Sequence, residues 1–462
     1  MSTELDTSRP DDVPGAAATT PGAGFALGAA LLGFFVVTLD ALIVSVALPS
    51  IGRELGGGIT GLQWVVDGYT LMLAALLLSA GSISDRIGAK RAFGVGMLVF
   101  LATSMACGLA PDLPLLVAAR FVQGSGAAVM MPATLALIRE AYPDATARTR
   151  ALAFWSVGGS VGAAAGPLLG GALAAWDWRW IFFINIPVGA VALALLARVQ
   201  PSPRRRVPFD LIGQLTAVLA LGGLTYALIE GGRRGFASAP VLTALIVAPV
   251  SLALFLTDQA RSAHPMMPLD LFASRRVVAG LVAGFALNVG FYGAAFVFSL
   301  YFQTFRGQSA LATGLLFLPM TAQTAAVSFA SAAATRKFGA RPTMVTGQLI
   351  MATGLLILCL VPPDTSVWLV SVLLIPIAFG GVFAVPAMTG LILAAVPPDR
   401  AGLASGVLNA FRQVGGALAV AVYGVLVSGS SFITGLRAGL IGAGVLLGTT
   451  ALVGVMAKSS RR

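Results

Sequence analysis

The chain has 462 residues, 57% of them hydrophobic and 10% charged, and its 29 Lys and Arg against 18 Asp and Glu give a net charge of +11 with a mean hydropathy of +0.91. A water-facing domain carries roughly 25% charged residues, so this composition excludes a soluble globular protein and puts lipid around the outside. In lipid, backbone groups are satisfied only in helices or a closed barrel, and apolar runs near or above the ~20 residues that cross a bilayer select helices.

Residues 1–24, rich in Pro, Ala, Thr and acid (Glu4, Asp6, Asp11, Asp12), read as a disordered cytoplasmic tail. No basic stretch and no small-residue cleavage signal accompany the first apolar run, which is expected to be an uncleaved anchor. Spans are predicted at 26–48, 61–81, 92–110, 115–137, 151–173, 180–199, 210–229, 240–257, 278–301, 311–333, 343–361, 367–391, 402–427 and 433–456. An even number of crossings places both termini on one side.

Most basic residues fall on that side, including Arg86, Lys90, Arg91, Arg148, Arg150, the Arg204–Arg205–Arg206 run, Arg336, Lys337 and Arg341. Arg53, Arg179, Arg233, Arg234, Arg306 and Arg437 fall on the other, and Arg120 and Arg412 lie within spans. The bias makes the terminal side cytoplasmic in a cell-membrane protein. It also accounts for the net charge without nucleic acid. Cys107 and Cys359 sit in apolar runs as packing residues, and the single histidine, His264, is in a polar loop. Neither a disulfide framework nor a metal site is expected.

The chain repeats itself faintly. Asp85-Arg86-Ile87-Gly88-Ala89-Lys90 after the second span is echoed by Arg336-Lys337-Phe338-Gly339-Ala340-Arg341 after the tenth. Arg150-Ala151 entering the fifth is echoed by Arg400-Ala401 entering the thirteenth, at nearly the same displacement. The implied organisation is an N-terminal six-helix bundle (25–200), a linker with an inserted helix pair (201–260), a cytoplasmic loop (261–277), a C-terminal six-helix bundle (278–457) and a short cytoplasmic tail (458–462). Parallel halves of this kind place a substrate site at mid-membrane between them.

A charge within the bilayer costs about 2.5–3.5 kcal/mol, so each needs a reason. Asp40 lies nine residues before Pro49, about 13 Å deep, with Asp67 and Arg120 at comparable depth on their own spans. A fixed ion pair of either acid with Arg120 would tie helices together. Alternatively, a buried carboxylate gains and loses a proton while the arginine stays charged, and a cationic substrate competes for it. That competition is the physical basis of antiport. The second half has no acid in its spans but carries Arg412, open to an interhelical role or to an anionic moiety. Gly162, Gly166 and Gly170 recur every four residues beside Pro167 and Gly171, a stripe that admits a neighbouring helix and favours a kink. At the inner face, Asp85 beside Arg86, Lys90 and Arg91 has the makings of a charged latch, with Gly81 opening the loop and Gly88 permitting its tight turn.

These residues resemble the major facilitator superfamily, and within it the fourteen-helix drug:proton antiporters that export quaternary ammonium compounds and antibiotics. Gly81 to Arg91 is similar to the loop motif between helices two and three, apart from Ala89, where that motif often has Arg. Arg120-Phe121-Val122-Gln123-Gly124 is similar to the fourth-helix motif, whose arginine the resemblance implicates in proton coupling. Gly162 to Gly171 resembles the fifth-helix antiporter motif. Leu39-Asp40 with Ala47-Leu48-Pro49, and Trp178-Arg179-Trp180-Ile181-Phe182-Phe183-Ile184-Asn185-Ile186-Pro187, resemble two signatures of the subfamily. The likeness implies an all-α major facilitator fold of two six-helix bundles plus a two-helix insertion.

The leading expectation is a proton-coupled antiporter, not an enzyme, exporting lipophilic and often cationic drugs or antibiotics. It would act as a monomer with no cofactor beyond the proton gradient. Asp40, Asp67 and Arg120 are the expected coupling residues. Asp40, Asp67, Tyr69, Tyr292, Tyr301, Gln303, Asn409, Arg412 and Gln413 are the expected substrate cavity. A transporter of one narrow metabolite, and a non-transporting receptor or scaffold, remain open on sequence.

Overall fold

The computed structural model describes residues 20–204, 208–397, 400–429 and 431–456, and these form helices joined by short connections, without strands. Residues 1–19 of the tail expected over 1–24, the tail expected over 458–462, and Arg205 and Arg206 of the basic run lie outside the described residues; within the expected N-terminal tail, Ala23 and Gly24 already belong to the first helix. Fourteen helices are long and apolar enough to cross a membrane. They are α1 (Ala23–Leu55), α2 (Gly58–Ile87), α3 (Ala89–Gly108), α4 (Leu113–Ala141), α5 (Ala145–Trp176), α6 (Trp180–Ala197), α7 (Leu211–Arg234), α8 (Ala239–Arg261), α9 (Arg275–Phe305), α10 (Ala310–Phe338), α11 (Ala340–Cys359), α12 (Val367–Leu393), α13 (Ala401–Val427) and α14 (Phe432–Met456).

Each expected span overlaps one helix, but several helices run further. Apolarity marks only the lipid-embedded stretch, whereas the ends are set by caps. Asp112 accepts from Leu115 N at 2.9 Å and Asp144 from Ala147 N at 2.7 Å, opening α4 and α5. Gly88, at φ 89°, ends α2 and starts α3.

The largest departure is α1, which continues through Pro49 to Leu55. Proline removes the hydrogen bond that the carbonyl four residues back would accept. Here that carbonyl, Ser45 O, instead accepts from Ser299 Oγ of α9 at 2.6 Å. The break in one helix becomes a bond to the other half.

Helices α1–α6 form one bundle, chiefly through α1 on α5 and α4 on both α2 and α3. Helices α9–α14 form the second, through α9 on α13 and α11 on α12 and α14. The α7–α8 hairpin leans on α2 and α13 and so touches both halves. Gln214 Nε2 donates to Ala75 O at 2.9 Å, and Trp64 Nε1 to Glu230 Oε1 at 3.3 Å.

We call the face carrying both described chain ends the near face and the opposite one the far face. The hydrogen bonds that join the halves directly lie on the far side. Ser299 reaches Ser45, Gln303 Nε2 donates to Val46 O at 2.7 Å, and Gln63 Nε2 donates to Ala421 O at 2.7 Å and Val420 O at 3.2 Å. Also on the far side, α5 and α10 meet backbone to backbone, where a Cβ on Gly171 would stand 2.5 Å from Ala310 O and one on Gly314 2.6 Å from Pro167 O. The far side is closed.

Candidate functional site

Helix α1 carries Asp40 and α4 carries Arg120 and, one turn on, Gln123. Both Asp40 and Arg120 are essentially inaccessible, at 0% and 1% exposure, and their Oδ2 and Nη1 are 2.5 Å apart. The second carboxylate oxygen accepts from Gln123 Nε2 at 3.1 Å and Asn185 Nδ2 at 3.0 Å. Arg120 also donates through Nε to Val65 O at 3.0 Å and through Nη1 to Gln123 Oε1 at 2.8 Å. Ser104 Oγ accepts from both amides and donates to Phe182 O at 2.9 Å.

The guanidinium lies 4.4 Å from the centre of the Tyr69 ring, whose hydroxyl is tied to Val37 O at 3.1 Å. A buried pair is stable only when its remaining polar atoms are satisfied. This one is satisfied and sealed. In this state Asp40 is engaged with Arg120 and is closed to a cationic cargo.

Asp67 behaves differently. It is fully buried, with Oδ1 accepting from Thr70 Oγ1 at 3.2 Å and Oδ2 lacking any hydrogen-bond partner among the described residues. It takes no part in the Arg120 pair. Gln63, one turn earlier on the same helix face, makes the far-side bonds to α13, so Asp67 stands at the seam between the halves.

In the second half, Arg412 is half-buried between α13 and α9. Its Nε and Nη1 reach Asn288 Oδ1 and Asn409 Oδ1, both at 3.4 Å. Gln413 follows it, also half-buried. Tyr292 packs on Gly416 and against the first half's core, within electrostatic reach of Arg412 and Tyr69.

Two expected cavity residues sit elsewhere. Tyr301 is at the far end of α9, accepting from Arg306 Nη1 at 2.9 Å beside Pro363. Gln303 belongs to the far-side closure.

The glycines of α5 serve two neighbours. Gly162, Gly166 and Gly170 face α1, where a Cβ would meet Phe35 O at 2.5 Å, Leu42 Cβ at 2.9 Å and Ile43 O at 2.6 Å. Pro167 and Gly171 face α10. In the loop motif, Gly81 has open space around it, and Asp85 reaches Arg139 of its own half at 3.9 Å. Arg86 and Arg91 are exposed. Lys90 Nζ donates to Val199 O and, at 3.4 Å, to Ala197 O, while its backbone N–H donates to Ser202 Oγ at 2.9 Å. A cation at the end of α6 suits the helix dipole. Among the described residues the loop thus binds its own half and the linker that follows it.

Ser104, Gln123 and Asn185 were not singled out from sequence. Their signal was present, since each is a polar side chain within an apolar span and two lie inside quoted motifs. Cys107 and Cys359 are free thiols, and no cluster of three metal-binding side chains occurs among the described residues.

Residues 30–420 match the family model of the Major Facilitator Superfamily. The chain is 39% identical over 396 residues to the multidrug resistance protein Stp of Mycobacterium tuberculosis, covering 85% of this chain and 74% of that one. It is 36% identical over 423 residues to the methylenomycin A resistance protein of Streptomyces coelicolor, covering 91% and 89%. Its fold matches the crystal structure of a bacterial homologue of the human lysosomal transporter Spinster, with a TM-score of 0.67, 18% identity, and 95% and 98% of the two chains covered. With twelve of the fourteen spans among the described residues in two bundles and a match over most of its length, the chain belongs to the Major Facilitator Superfamily, a transporter family and not an enzyme family.

Proposed function

We propose that the protein exports antibiotic-like small molecules across the cytoplasmic membrane in exchange for protons, with its near face in the cytoplasm. Relatives named for drug and antibiotic resistance support the cargo class, and the Lys and Arg bias supports the orientation. With the far side closed, the state described is the one that loads from the cytoplasm.

The observation that carries proton coupling is Asp67, buried with an unpartnered Oδ2 at the seam. A lone carboxylate anion there would cost about 2.5–3.5 kcal/mol, whereas the neutral acid costs far less. Far-side closure therefore favours the proton-loaded carrier by roughly 70- to 400-fold on that figure. A proton taken up from outside lets the far side close, and its release to the cytoplasm precedes the outward step with cargo. Asp40 and Arg120 form the fixed frame of the first half beside this switch. Both ends of the cycle are then tied to one proton site.

Dye accumulation in everted vesicles, with and without a protonophore, tests this for wild type and Asp67→Asn. The neutral amide should allow downhill exchange and abolish uphill, protonophore-sensitive pumping. Uphill pumping at the wild-type rate in Asp67→Asn sinks the proposal.

A further inference from the structure

We propose that Arg412 binds the anionic group of the transported molecule, so that the cargo class is lipophilic organic anions, carboxylates above all; this rests on the exporter reading above. Arg120 has Asp40, Arg179 has Glu54, and Glu230 has Arg233 and Arg234. Arg412 has no carboxylate within ion-pair distance among the described residues. Its two partners are the neutral amides of Asn288 and Asn409, each at 3.4 Å.

Those distances lie beyond the usual 2.7–3.2 Å for N–H···O bonds. A guanidinium has five donors, so most of its capacity is unused. A carboxylate held in bidentate fashion would sit at about 2.7–2.9 Å and cancel the charge.

A lipid headgroup does not fit this position. Arg412 lies 11 residues into α13 (412 minus 401), about 16 Å from its near end, and its stem packs inward on Gly284 of α9. The surroundings favour an aryl acid. Tyr292 packs on Gly416, one turn beyond Arg412, at the boundary of the halves, and Asn409 lies one turn before it. Across the boundary, among the described residues, Asp40 and Arg120 are sealed together and Asp67 is fully buried, so none of these first-half charges opens towards Arg412. Among the described residues, the half-open charge at this depth is that of Arg412, and it is positive. An anionic cargo differs from the often cationic one expected from sequence.

Equilibrium binding to the full-length protein in nanodiscs tests the site, with radiolabelled 2-naphthoate as the probe. Neutral 2-naphthamide, cationic naphthylmethyl-trimethylammonium and chloride serve as competitors. The expected result is saturable naphthoate binding that chloride does not displace. It should weaken at least tenfold in Arg412→Gln and less in Arg412→Lys, while naphthamide binding, which reports an intact fold, is unchanged. The site is overturned if naphthoate does not bind saturably, if chloride displaces it equally, if the cation binds tighter than the acid, or if Arg412→Gln weakens all probes alike. Proton-driven dye efflux that persists beside any of those results would leave the exporter standing and remove only the anion site.

Discussion

Replacing Gly171 by alanine should push the protein out of the state described here without unfolding either half. The added Cβ would lie 2.5 Å from Ala310 O and 3.0 Å from Gly314 Cα. Close C···O contacts run about 3.3–3.6 Å and carbon–carbon contacts about 3.5–4.0 Å, so α10 must retreat by most of an ångström. Both opposing groups are backbone, and neither can rotate away. Overpacking of this kind costs about 1–3 kcal/mol. Helices α5 and α10 belong to different halves, so the cost applies only while the far side is closed. The far-open population should rise about 5- to 150-fold.

The assay is the distance between spin labels at Pro111 and Asp364, exposed residues on far-side loops of the two halves, in a background lacking Cys107 and Cys359. Gly162→Ala is the control, because its Cβ would meet Phe35 O and Thr38 Oγ1 within the first half. It should lower the melting temperature without lengthening the distance. An unchanged distance distribution in Gly171→Ala, with thermal stability equal to wild type, would refute the reasoning.

Three further outcomes follow from the same geometry. Arg120→Leu should destabilise the first half by about 3–5 kcal/mol by leaving Asp40 buried without its cation, with Asp40→Asn/Arg120→Gln recovering part of the loss. Thermal unfolding in detergent reads this, and a loss below about 1 kcal/mol for the single variant contradicts the sealed pair. Gln63→Leu removes the bonds to Val420 O and Ala421 O, worth about 1–3 kcal/mol together, and should lengthen the same label distance; no change would deny Gln63 a part in closure. Asp210 caps α7, and although desolvation opposes its charge, donors from Gln259, Gly213 and Met266 hold its carboxyl below the ordinary range. Its contribution is therefore present above the unfolded-state value and lost as pH falls through the lowered one. Asp210→Ala should cost about 0.5–2 kcal/mol at neutral pH and little in strong acid, read by melting curves at both.

The architecture was legible because lipid imposes a single rule on every span, and the two repeated marker pairs exposed the halves. Helix ends were harder to place. Pro49 read as a terminus, since nothing local announces that Ser299, far along the chain, will take up the carbonyl it frees. The acids were found but not their fates. Asp40 and Asp67 look alike in sequence, and only the folded chain brings Gln123 and Asn185 to one and leaves the other with a bare oxygen. Tyr301 and Gln303 were drawn into the cavity by chemistry alone, while the length of α9 carries them to its far end. The α5 glycines let neighbouring backbones come close. That the stripe divides between α1 and α10 depends on which helices arrive.

Far-side closure that requires a proton on Asp67 is tested most directly by the Pro111–Asp364 label distance, followed from mildly acidic to alkaline pH in wild type and Asp67→Asn. Proton-gated closure predicts a shift towards longer distances as pH rises in wild type and a short, pH-independent distance in the amide variant. A wild-type distribution that ignores pH, or an identical pH response in both proteins, contradicts it.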